Sequence, residues 1–145
     1  MQRVTLLCVG KLKEKFYAEA AAEYVKRLAR YCRLSIVELP EERLPENPSR
    51  AQIEAALAKE AENIRGKLPP ASGLIALCVE GREWSSEELA RRIEAWANAG
   101  EKQLVFLIGG SFGLHESVKA QAVEKLYMSP MTFPHHLARV MLLEQ

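Results

Sequence analysis

A chain of 145 residues, 48% hydrophobic and 27% charged, has room for one domain with one substantial core, and its balance excludes a disordered polymer. Lysine and arginine total 20 against 19 for aspartate and glutamate, a formal charge of +1. Near-neutrality argues against a partner held mainly by bulk neutralisation of phosphates, so a nucleic-acid role would have to rest on shape and a preassembled surface.

No apolar run approaches the roughly 20 residues of a membrane span. In "MQRVTLLCVGKLKEK" a short apolar run meets charges at once and no small-residue cleavage site follows, so no secretory leader is expected. Cys8, Cys32 and Cys78 are odd in number, widely spaced and outside any zinc-ligand pattern. They read as free thiols in a reducing cytosol, and no metal is expected.

In chain order, "VTLLCV" (4–9) predicts a buried strand that Gly10 punctuates. Tyr17, Ala21, Tyr24, Leu28 and Tyr31 then recur on one face of a helix from Glu14 to Tyr31. "LSIVEL" (34–39) predicts a second strand, and a loop rich in proline and glutamate runs from Pro40 to Pro48. Ser49 with Gln52 has the spacing of a capping box, opening a helix that carries Ile53, Leu57 and Ile64. "GLIALCV" (73–79) is a third strand; Ser85 with Glu88 repeats the capping spacing, and Leu89, Ile93 and Trp96 give that helix a core face until Gly100.

"LVFLI" (104–108) is a fourth strand, ended by Gly109 and Gly110. Leu114, Val118, Ala122 and Leu126 predict a further helix, followed by a short fifth strand at Met131–Phe133 and a last helix after Pro134. Continuous apolar strands separated by helices imply an α/β fold, a mostly parallel sheet with helices on both faces, in a single domain spanning 1–145. Ligands of such sheets bind outside the carboxyl ends of the strands, which directs attention to the segments after strands 3, 4 and 5.

Strand 4 runs into "IGGSFGLHES", whose glycines admit close backbone approach. Its spacing is neither a Walker loop nor a dinucleotide fingerprint, so a plain turn and a ligand loop both remain open. His115 reads as a helix-start residue. Glu80 and Gly81 stand where they border the same cleft or simply make a turn. Lys26, Arg27, Arg30 and Arg33, late in the first helix, suit its dipole more than an RNA contact.

"YMSPMTFPHHLARVMLLEQ" (127–145) is the unusual segment. Prolines keep Ser129 and Phe133 out of helix, yet Met128, Met131 and Phe133 make the run apolar. An irregular apolar run needs cover, and its amides and carbonyls need partners that a bound heterocycle can supply, with the methionines as adaptable walls. Pro134 suits a helix start, and His135 and Arg139, four apart, share one face of the helix that follows. An imidazole beside a fixed cation suits proton abstraction near an anionic substrate.

"VGKLKEKFYAEAAAEYVKRL", "IGGSFGLH" and "MTFPHHLARVMLLEQ", in this order, resemble the small bacterial ribosomal large-subunit pseudouridine N3-methyltransferases of the SPOUT class, over Val4 to Gln145. The resemblance implies a C-terminal deep trefoil knot, an exception to the usual absence of knots. It also implies S-adenosyl-L-methionine bent into that knot, a homodimer with composite active sites, and a pseudouridine of 23S rRNA in the assembled 70S ribosome as substrate. A preformed ribosomal surface would reconcile an RNA substrate with a near-neutral chain.

By motif, the resemblance assigns the cofactor to Leu77, Gly109, Met128, Ser129, Pro130, Met131, Thr132 and Phe133, and turns His135 and Arg139 toward the substrate. Direct displacement by N3 then needs a base, assigned to His135, and a cation for the anionic ring or a phosphate, assigned to Arg139. Family members continue past "LLEQ" with an aromatic–Arg pair and a Tyr-His segment that helps complete the site. This sequence stops at Gln145 with no helix stop signal, so cofactor binding is expected to survive better than turnover. Two rivals remain from the sequence: a ribosome-binding assembly factor without turnover, and a nucleotide-binding oxidoreductase on a related open sheet, against which stand the glycine spacing and the lack of an acid for a ribose after strand 2.

Overall fold

The computed structural model describes residues 1–100 and 103–145. Five strands, β1 (Arg3–Val9), β2 (Arg33–Leu39), β3 (Ser72–Arg82), β4 (Gln103–Ile108) and β5 (Glu124–Leu126), form one parallel sheet ordered β2-β1-β4-β3-β5. Every other residue of a strand points to the same face, so runs such as Leu6-Leu7-Cys8-Val9 supply both cores at once. Leu7, Val9, Leu74, Ala76, Val105 and Leu107 pack under α2 (Arg50–Lys67) and α4 (Glu116–Gln121). Leu6, Cys8, Ile75, Leu104, Phe106 and Ile108 pack under α1 (Lys15–Leu28), α3 (Ser86–Asn98) and α5 (His135–Glu144).

Local signals set several boundaries. Ser49 Oγ accepts from Gln52 N at 3.1 Å and Gln52 Oε1 accepts from Ser49 N at 2.8 Å, closing the capping box. At α3 only half of it forms: Ser85 Oγ caps Glu88 N, while the Glu88 carboxylate is taken by Arg91 at 2.8 Å and Arg92 at 2.9 Å. Trp96 lies so close over Gly73 that no other residue fits at the start of β3.

Three expectations are corrected. The first helix ends at Leu28; Tyr31 N and Cys32 N turn back to Leu28 O, leaving Tyr31 exposed rather than on the helix face. The helix expected through Leu126 stops at Gln121, and the fifth strand is Glu124–Leu126 rather than Met131–Phe133. Both shifts have one cause: without β5, the long β3 would be an edge with unpaired backbone groups. Val123 N therefore donates to Leu74 O at 2.9 Å and Tyr127 N to Arg82 O at 3.0 Å, and this pairing outweighs another helical turn. Met131–Phe133 stays irregular.

From β5 at one edge, the chain then recrosses the carboxyl ends of the strands. α5 packs on α1, and Arg139 reaches Glu38 of β2 at the opposite edge. Among the described residues, no helix is long and apolar enough to cross a membrane.

Candidate active site

A cleft of about 470 Å³ opens where β3, β4 and β5 end, the size of a small-molecule site. Leu77, Ile108 and Leu126 form its apolar back. The 109–114 loop forms one side, the 127–133 run the other, and His135 and Ala138 of α5 reach in from the mouth. The cleft thus gathers Leu77, Gly109, Met128, Ser129, Met131, Thr132, Phe133 and His135.

Both backbone walls have physical reasons for their shape. A Cβ on Gly109 would stand 2.5 Å from Gly113 O, so only glycine lets the loop fold back on itself; Gly113 holds φ +83° to make that fold. In the opposite wall, among the described residues, only Tyr127 and Met131 find acceptors in the protein for their amides, at Arg82 O and Ser129 Oγ. The remaining amides of that run are available to a ligand. Met131 is 72% exposed, so it rims the cleft rather than lining a closed wall.

Pro130 and Arg139 do not line the cleft. Pro130 is exposed at the turn of the run. Arg139 is corrected more substantially: it is 2% exposed, its Nη1 donates to Glu38 Oε2 at 2.6 Å and its Nη2 to Gly10 O at 3.1 Å. Glu38 Oε2 also accepts from Leu12 N at 3.3 Å. The guanidinium is therefore consumed in joining α5 to β2 and to the turn after β1, and is not turned toward a substrate. A charge this deep is tolerable only with such a partner set.

His135 is half-buried at the mouth. Burial, followed by the neighbouring His136, whose ring centroid is 4.2 Å away, pushes its pKa below the ordinary imidazole value, while Glu41 pulls the other way. The ring is neutral near pH 7 and is free to accept a proton. His136 instead faces Glu14, at 3.5 Å, and the edge of Tyr17.

Glu41 is a site residue that the sequence reading missed. Its Oε2 accepts from Ser111 N at 2.7 Å, and its carboxylate lies against Gly110. A Cβ on Gly10 would lie 3.7 Å from Glu41 Oε1 and 4.0 Å from His135 Nε2, so Glu41 ties the glycine loop to the turn beside the imidazole. Nothing in "PEERLPENP" separates it from Glu42. Lys119, also missed, lines the cleft but bonds Glu80 at 2.8 Å and Glu116 at 3.2 Å. Its ammonium holds the Glu80 carboxyl below the usual range. His115 caps α4 by accepting from Ser117 N, as a helix-start residue does. Among the described residues, no three His, Cys, Asp or Glu side chains converge as a metal site.

The thiols report on the cleft. Cys8 is buried and its pKa is pushed up to about 11 by desolvation, whereas Cys78 lines the cleft with a pKa raised by burial. Alkylation of the native protein is expected to spare Cys8 until denaturation. At Cys78, S-adenosylmethionine should slow alkylation several-fold while leaving Cys32 unaffected, as read by peptide mass spectrometry.

A family model described as "Predicted SPOUT methyltransferase" matches residues 2–145. The chain is also 48% identical, over 145 residues, to the "Ribosomal RNA large subunit methyltransferase H" of Pelotomaculum thermopropionicum (strain DSM 13744 / JCM 10971 / SI), covering all of this chain and 91% of that protein. Methyl transfer from a cleft framed by a glycine loop and an irregular apolar run is the chemistry of that family, and the chain belongs to it: it is a SPOUT methyltransferase.

Proposed function

We propose that the chain uses S-adenosyl-L-methionine to methylate N3 of a pseudouridine in 23S rRNA, in the cytoplasm, on the assembled 70S ribosome. The similarity to a ribosomal RNA large subunit methyltransferase supports the substrate class. The observation that carries the reading is the cleft itself: apolar back, glycine loop, free amides in 127–133 and a neutral imidazole at the mouth.

The donor set fits the cofactor. Leu77, Ile108, Leu126 and Met128 offer apolar walls to an adenine, and the amides of Ser129, Thr132 and Phe133 offer hydrogen bonds to its edge. Gly109 lets the ligand approach the backbone, with Pro130 fixing the turn between Ser129 and Met131. Bound there, S-adenosylmethionine supplies the electrophilic methyl group. His135 accepts the N3 proton as the ring nitrogen attacks, and the rigid walls hold the reacting atoms in line. Arg139 acts by holding α5 and its His135 in place.

The chain path, from the β5 edge back across the sheet to α5 on α1, is compatible with the trefoil knot that this reading includes. A homodimer, each active site completed by the partner, belongs to the same reading. Tritiated-methyl transfer to whole ribosomes, free subunits and naked rRNA tests the substrate. Label in 23S rRNA with assembled ribosomes alone is the expected result; binding of ribosomes without label on any of the three would favour an assembly factor and overturn the reading.

A further inference from the structure

The turn after β1 carries "KLKEKF", and it abuts the mouth of the cleft. Gly10 neighbours His135, Leu12 N is held by Glu38, and Glu14 faces His136. Lys11, Lys13, Lys15 and Phe16 are all exposed, Phe16 by 64% with its ring on Tyr17 at 4.4 Å between centroids.

The charges around this turn are unequally committed. Glu38 is taken by Arg139, Glu41 by the Ser111 amide, and Glu14 faces His136. Among the described residues, neither Lys11 nor Lys13 has a carboxylate partner, and Lys15 meets only the exposed Glu19, at 3.7 Å. Within the cleft, Lys119 is neutralised by Glu80 and Glu116. With Arg139 sequestered, cationic capacity at the mouth rests with these three lysines.

We propose that Lys11, Lys13 and Lys15 form a phosphate-binding rim for the RNA strand that delivers its base to His135, with Phe16 offering a stacking face to a neighbouring base. This rests on the rRNA methyltransferase reading above. A base entering the cleft brings its flanking phosphates over the rim, where exposed lysines neutralise them, and an exposed aromatic among lysines is the usual platform for a single-stranded segment. A local rim also suits a near-neutral chain, because charge is needed only at the mouth.

The test uses intact 70S ribosomes and compares wild type with the triple variant Lys11→Gln/Lys13→Gln/Lys15→Gln, with Phe16→Ala, and with Lys26→Gln/Arg30→Gln at the far end of α1. The triple variant is expected to raise KM for ribosomes about ten-fold. It should also flatten the plot of log(kcat/KM) against log salt by about 2 in slope, with KM for S-adenosylmethionine unchanged. Phe16→Ala is expected to raise the ribosome KM with the salt slope retained. Unchanged ribosome KM and slope in the triple variant, or an equal loss of slope in the distal variant, would overturn the rim. A wild-type protein that methylates no ribosome would instead overturn the reading on which the rim rests.

Discussion

Methyl transfer by a His135→Ala protein is expected to fall by about 10²–10⁴-fold, the contribution of a positioned general base. KM for S-adenosylmethionine should change little, because the ring stands at the mouth of the cleft while the amides and apolar back lie deeper. The pH dependence is the sharper readout. Burial and His136 depress the imidazole pKa, so the neutral, active form persists below the ordinary value of about 6.5. The wild-type rate should rise with pH through a midpoint below that value and then level off; His135→Ala should lose this limb. A limb that survives the substitution would assign the base elsewhere.

The sign for stability follows from the same shift. Unfolding releases His135 into water, where it binds a proton more readily, so the unfolded chain holds more protons between the depressed and ordinary pKa values. His135 therefore makes the fold less stable as pH falls through that window and has no effect on pH dependence well above it.

Glu38→Ala is expected to cost about 3–5 kcal/mol of folding stability, read as a lower urea midpoint, because it strands a guanidinium that is 2% exposed. Arg139→Met should cost less. The carboxylate it leaves behind is about one-third exposed and can take water, and the methionine keeps much of the volume. The order of the two is the informative result. If Arg139→Met costs more than Glu38→Ala, or removes transfer activity from a protein as stable as wild type, then Arg139 acts on the substrate and the clamp is secondary.

How much could be read before folding varied with the distance over which the cause acts. β1, β2 and β4 stood out because strands covered on both faces are apolar along their whole length, and the Ser49 capping box because its partners are three residues apart. The 114–126 stretch misled because apolar residues four apart suit a helix, while the deciding contact, Val123 N to Leu74 O, spans the sheet. Arg139 was legible as a functional residue type and not as a committed one. Its carboxylate partner lies 101 positions away in sequence and carries no local mark.

By itself, the sequence determined the α/β class, the sites of the glycine loop and the broken apolar run, and the family to which the chain belongs. Those follow from periodicity and from residues adjacent in the chain, where local sterics and burial patterns act. Only the tertiary structure decided that β5 precedes the broken run, that Arg139 is spent on Glu38, and that Glu41 latches the glycine loop beside His135. Each of these is a competition for partners among groups that only the folded sheet brings together.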